Sequence, residues 1–168
     1  MAVENSSDAP RPVTGPVLVG VIPGQRAAVV QRAAVLAAEL GVDLACVHVD
    51  VSTYEETLPD GSRVLLPIDP DGDFSYVERT AEEIQASVSE ALTDRRVTWS
   101  FRTFAGDPAR ALADAADAIG ASMIVVGTRE PGIVHAIEEV LVGSVAVHLA
   151  HHQHRPVLIV PLDPRPFE

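Results

Sequence analysis

Ile124-Val125-Val126-Gly127-Thr128-Arg129 is followed by Val140-Leu141-Val142-Gly143-Ser144-Val145, and then by Pro156-Val157-Leu158-Ile159-Val160. The first and last pieces contain continuous apolar runs, the pattern of strands buried on both faces of a parallel sheet. Between them a glycine ends one strand and a Gly-Ser pair starts a helix. A parallel pair needs such a crossover, and this path presents backbone N–H groups to an anionic ligand. The stretch predicts an open α/β sheet with a crevice at the carboxyl ends of its strands.

Upstream the same alternation repeats. Val17-Leu18-Val19-Gly20-Val21-Ile22 reads as a buried strand ended by Pro23-Gly24. A helix follows with Val29, Ala33, Leu36 and Leu40 at helical spacing and Gly41 as its stop. Residues 42–51 form a second strand. Residues 52–73 break the rhythm. Two turn signals, Pro59-Asp60-Gly61 and Pro70-Asp71-Gly72, flank the apolar Val64-Leu65-Leu66. This connection leaves the ligand side of the sheet, so Val64-Leu65-Leu66 is expected to fold over the crevice or its rim.

Ser75 and Glu78 match a capping box, ahead of a helix with Val77, Ala81, Ile84, Val88 and Leu92 on one stripe. Residues 97–104 alternate as a third strand. Asp107-Pro108 pairs an N-cap with proline at the first helical position. Leu112, Ala116 and Ile119 then face the core, and Gly120 closes the helix. Strand four is expected over 123–126, a last helix from 143 to about 152, and strand five over 157–160. Right-handed crossovers put helices on both faces of one parallel sheet. The domain organisation expected is a flexible arm at 1–15, one α/β domain at 16–162 and a tail at 163–168. Ligands on such sheets sit where strand order reverses, which singles out the ends of strands one and four, Ile22 and Gly127.

Composition narrows the function. The 168 residues are 47% hydrophobic but only 4% aromatic, so the core is built of small and β-branched side chains. A net charge of -12 without a basic run argues against nucleic acid and anionic membranes as partners. All 12 basic side chains counted are arginine. The absence of lysine removes a Walker-A lysine, Schiff-base chemistry and lysine bases. Cys46, the one cysteine, lies in an apolar run and reads as a buried structural thiol. No apolar run is long enough to span a bilayer, and the first 16 residues lack a hydrophobic signal core, which points to the cytoplasm.

Three pieces carry a family resemblance: Gly106-Asp107-Pro108-Ala109, the Ile124–Arg129 run, and Gly143-Ser144-Val145 with His151 before Pro156-Val157-Leu158-Ile159-Val160. From Val17 to Pro161 the chain resembles the universal stress protein family. That resemblance implies a Rossmann-like five-stranded parallel sheet of order 3-2-1-4-5 and a cytoplasmic homodimer. The dimer would pair through strand five (Val157, Leu158, Ile159, Val160), at a sheet edge. Some members bind ATP or AMP and others bind no nucleotide. Carried onto this chain, the ligand would border Ile22, Pro23, Val49 and Val126, with Gly127, Arg129, Gly132, Gly143, Ser144 and Val145 around its ribose and phosphates.

The chain departs from the family pattern at two places. Binding members carry Gly-x-x-Gly, nine residues, then Gly-Ser or Gly-Thr. Here the second glycine position holds Glu130, and the next glycine is Gly132, so the loop is longer by three residues. Glu130 would repel phosphates if it faced them. The aspartate that ends strand one in binding members is replaced by Ile22.

Several features have a simpler reading as well. Gly143-Ser144 serves equally as a plain helix start. Arg129 either contacts phosphate or pairs with Glu130, Glu138 or Glu139. His148 and His152 have metal-ligand spacing, but no acidic or cysteine ligand is near them in sequence, and no metal is expected. No nucleophile–base–acid set can be assembled from spacing alone. Three functions remain: a regulatory module binding ATP or AMP, a nucleotide-free dimeric scaffold, and a weak ATP hydrolase. A phosphoacceptor receiver domain is excluded, because Ile22-Pro23-Gly24 stands where acidic residues would be needed. A dinucleotide-binding domain lacks its Gly-x-Gly-x-x-Gly after strand one.

Overall fold

A computed structural model describes residues 14–69, 74–128 and 141–162. Strand β1 (Val17–Val21) lies at the centre of a parallel sheet. On one side it pairs with β2 (Leu44–Asp50), which pairs with β5 (Trp99–Ala105). On the other it pairs with β6 (Met123–Gly127), which pairs with β7 (Val157–Val160). The order β5-β2-β1-β6-β7 is the expected 3-2-1-4-5 once the antiparallel hairpin of β3 (Thr53–Thr57) and β4 (Arg63–Pro67) is set aside.

The strand period sorts the apolar residues into two cores. Val17, Val19, Val21 and Cys46 face helices α1 (Ala27–Leu40) and α2 (Phe74–Ala91). Leu18, Val47, Ile124 and Val126 face α3 (Pro108–Ile119) and α4 (Leu141–His152). Each of these eight side chains is at most 6% exposed, which is why the central strands carry no polar alternation. Gly20 leaves room for this packing: a Cβ there would lie 3.3 Å from a Leu112 methyl. Gly15 has a stricter requirement, since a Cβ would fall 1.8 Å from the Gly120 carbonyl oxygen. The chain thus enters β1 in backbone contact with the end of α3.

Helix ends follow their sequence signals. Gly41 (φ 67°) and Gly120 (φ 61°) close α1 and α3 in the left-handed region. Asp107 Oδ1 accepts from the Arg110 N–H at 2.9 Å. Four expectations shift. Leu40 is exposed, because the buried stripe of α1 runs through Val29, Val30, Ala33, Ala34 and Ala37. Ser75 lies inside the first turn of α2, which starts at Phe74, so it is not the N-cap. Helix α4 is described from Leu141, so Gly143 already lies within it.

The fourth concerns residues 52–73. Within them Thr53–Thr57 and Arg63–Pro67 form the β3–β4 hairpin, whose turn is held by Asp60 Oδ1 accepting from Ser62 N–H (2.9 Å) and Oγ–H (2.6 Å). These bonds hold the Asp60 carboxyl below the usual range. The hairpin stands at the carboxyl end of the sheet, but its main contact there is β3 against β5, the flank away from β6. Val64, Leu65 and Leu66 are half-buried in β4, and the hairpin stands at the rim on the β5 side rather than the β6 side. Pro70-Asp71-Gly72, the second turn signal, lies outside the described residues.

Candidate functional site

Strand order reverses between β1 and β6, so their carboxyl ends open a crevice rather than being bridged by one connection. Neighbouring strands lie about 4.8 Å apart, which brings the ends of β2, β1 and β6 side by side. The register pairs Val21 with His48, so Ile22 emerges next to Val49. Ile22 is 43% exposed at the lip, and Pro23-Gly24 turn the chain into α1, with the Gln25 N–H donating to the Ile22 carbonyl at 3.3 Å. Val49 and Val126 pack in the core toward α3 and α4, as does Val145 in α4.

Gly127 has a structural requirement of its own. A Cβ there would meet Val29 Cγ2 at 2.7 Å, Gln25 Nε2 at 3.2 Å and Leu162 Cδ1 at 3.4 Å. Glycine therefore lets the first turn of α1 settle onto the end of β6. The chain after β7 seals that corner. Thr128 N–H donates to the Val160 carbonyl (2.9 Å), Leu162 N–H to Thr128 Oγ1 (2.8 Å), and Arg26 Nη1 to the Leu162 carbonyl (3.0 Å).

Gly143 and Ser144 lie near the start of the described part of helix α4. Arg129, Glu130 and Gly132 lie outside the described residues. The structure thus brings Ile22, Pro23, Val49, Val126 and Gly127 to one end of the sheet.

His48 was missed by the sequence reading. It is 5% exposed in β2, and its Nδ1–H donates to the Val21 carbonyl at 3.1 Å. Burial holds its pKa below the usual imidazole value, partly opposed by that hydrogen bond and by Asp50. The alternation Cys46, His48 along β2 was the available signal, since it places both side chains on the α1–α2 face. Cys46 is buried as expected, and burial pushes its thiol up to about 12, which leaves it unreactive. His148 and His152 stack edge to face at 5.7 Å, with His152 Nδ1–H donating to the His148 carbonyl. Among the described residues no three His, Cys, Asp or Glu side chains converge as a metal site. Nor, among them, is any helix long and apolar enough to cross a membrane.

A profile of the universal stress protein family matches residues 14–161. Stress response protein NhaX of Bacillus subtilis is 33% identical over 85 residues, 51% of this chain and 49% of that protein. The chain therefore spans about half the length of that relative. Among solved structures, the universal stress protein from Archaeoglobus fulgidus in complex with dAMP superposes with a TM-score of 0.61 at 20% identity, over 88% of this chain and 98% of that one. A universal stress protein in complex with cAMP gives 0.55 at 22%, over 89% and 98%. A family protein from Burkholderia pseudomallei gives 0.60 at 28%, over 90% and 99%.

Proposed function

Because this chain belongs to the universal stress protein family, we propose that it is a cytoplasmic stress-response regulatory module. In this reading it takes ATP or AMP weakly in the crevice at the ends of β1 and β6. The observation that carries the reading is the strand-order reversal between β1 and β6, with Gly143 and Ser144 of α4 following β6 in the chain. The dAMP and cAMP complexes of structurally similar proteins support it. Phosphates sit on the N–H groups around Gly143 and Ser144, and Val145 packs beneath them. Gly127, Arg129 and Gly132 border the ribose and phosphates. The base lies against Ile22, Pro23 and Val49, held by apolar contact and backbone hydrogen bonds. Affinity is low, since Ile22 offers no carboxylate to the ribose and Glu130 adds negative charge to the loop. The module works as a homodimer through β7.

One observation favours the nucleotide-free scaffold as a second reading. Gly127 is needed for packing under Val29 whether or not a ligand is present. Calorimetry with ATP and AMP separates the two readings. Gly143→Trp should abolish binding by blocking backbone approach to the phosphates. Glu130→Gly should tighten it several-fold by removing a repulsive charge. Wild-type binding that neither change alters would move the phosphates elsewhere, and no wild-type binding would leave the scaffold.

A further inference from the structure

The β3–β4 register sets Tyr54 opposite Leu66 and Glu55 opposite Leu65. The bonds that flank the ladder, Ile68 N–H to the Ser52 carbonyl and Leu58 N–H to the Ser62 carbonyl (both 2.8 Å), fix which opposite pairs exchange hydrogen bonds. In an antiparallel ladder these alternate with pairs whose N–H and C=O groups point away from the partner strand. Arg63, Leu65 and Pro67 belong to the second kind. The N–H groups of Arg63 and Leu65 and all three carbonyls thus face outward along β4, and among the described residues they meet no backbone partner. β3 is the strand set against β5, which leaves β4 as the outer edge. The same alternation sorts the side chains. Thr53 is fully buried, so its face of the hairpin turns at that end toward the protein. The opposite face carries Tyr54, Leu58, Val64, Leu66 and Ile68 beside Glu56, and Tyr54 is 45% and Ile68 62% exposed. A two-stranded ribbon buries little of such a face, and a third strand on the open edge buries more.

We infer that the β4 edge accepts an extended segment of a basic partner protein, one that alternates apolar and cationic side chains. Backbone bonds to Arg63 and Leu65 hold the added strand, and its apolar side chains lie beside Val64 and Leu66. Charge selects the partner. Residues 53–69 carry Glu55, Glu56, Asp60 and Asp69 against Arg63, which Glu55 already pairs at 2.8 Å. A second copy of the chain brings a further net charge of -12 and a β4 whose Pro67 has no N–H to donate, so it is the poorer occupant. The edge lies on the β5 side of the sheet, away from the ends of β1 and β6, so no nucleotide need be bound for the strand to add.

Titration of the isotope-labelled full chain with a short peptide alternating lysine and valine, followed by amide NMR, tests this. The Arg63 and Leu65 amide signals should shift, and their hydrogen exchange should slow at least tenfold. The same peptide with N-methyl groups along its backbone keeps every charge and side chain but donates no backbone hydrogen bond, and should bind at least tenfold more weakly. A glutamate–valine counterpart should also bind at least tenfold more weakly. Leu65→Pro removes an N–H that the hairpin does not use, as Pro67 already does two residues on. It should weaken the plain peptide at least tenfold with an unfolding midpoint close to wild type. If it disturbs the hairpin instead, the N-methylated peptide decides. Equal binding of the plain and N-methylated peptides would show only diffuse attraction to an acidic chain and overturn the site, as would no binding. Slow exchange at Arg63 and Leu65 in the free chain would also overturn it, because the edge would already be covered.

Discussion

Strands β1 and β7 are nearly the same in composition, Val-Leu-Val-Gly-Val against Val-Leu-Ile-Val, and opposite in surroundings. In β1 every side chain but the glycine is at most 3% exposed. In β7 Leu158 is 40% exposed and Ile159 49%. β1 has strands on both sides and helices on both faces, whereas among the described residues β7 pairs only with β6. An apolar run therefore specifies a strand without specifying its depth, which is set by its place in the sheet order. An apolar strand left at an edge is open to pairing with another chain.

Substitution should separate the two strands most sharply. Leu18→Ala opens a cavity in a fully buried position and should cost about 3 kcal/mol in denaturant unfolding. Ile159→Ala should cost the monomer under about 1 kcal/mol. Equal costs would mean that β7 is buried by a partner even at low concentration. A smaller effect is expected for Ile159→Asp, read by analytical ultracentrifugation. It should weaken the proposed dimer at least tenfold, about 1.4 kcal/mol, by placing a charge in the apolar contact proposed for β7. A dimer that tolerates the aspartate would move the interface away from β7.

The smallest effect is a pH dependence inside the buried region. The folded state keeps His48 neutral with a pKa below the unfolded 6.5, so the unfolded chain binds more protons below that pH. Its contribution is fully present above 6.5 and is lost as pH falls toward the lowered folded value. His48→Gln should flatten the decline in unfolding free energy across that window. An unchanged slope would assign the decline to the carboxylates.

Much of this fold is written in runs and stops. Val17–Val21 and Ile124–Val126 are unbroken apolar because both faces are covered, while Gly41, Asp107, Pro108 and Gly120 mark helix ends by backbone chemistry that needs no tertiary context. Leu40 misled because it shares the helical spacing yet lies in the last turn, beyond the sheet's cover. The hairpin at 53–67 was legible only as a turn around an apolar piece, because its packing against β5 depends on long-range placement. In the crevice, Ile22 and Gly127 could be located from strand ends alone. The reason for Gly127 could not, since Val29, Gln25 and Leu162 reach it from separate parts of the chain. His48 was hidden for the same reason, as its partner is a carbonyl on the neighbouring strand.

The most direct measurement is mass spectrometry of small molecules released by denaturing the purified protein, before and after incubation with ATP or AMP. We expect an adenine nucleotide at less than one equivalent as purified, rising on incubation and absent from Gly143→Trp. Finding none in the wild type, even after incubation, would contradict nucleotide binding and leave a scaffold.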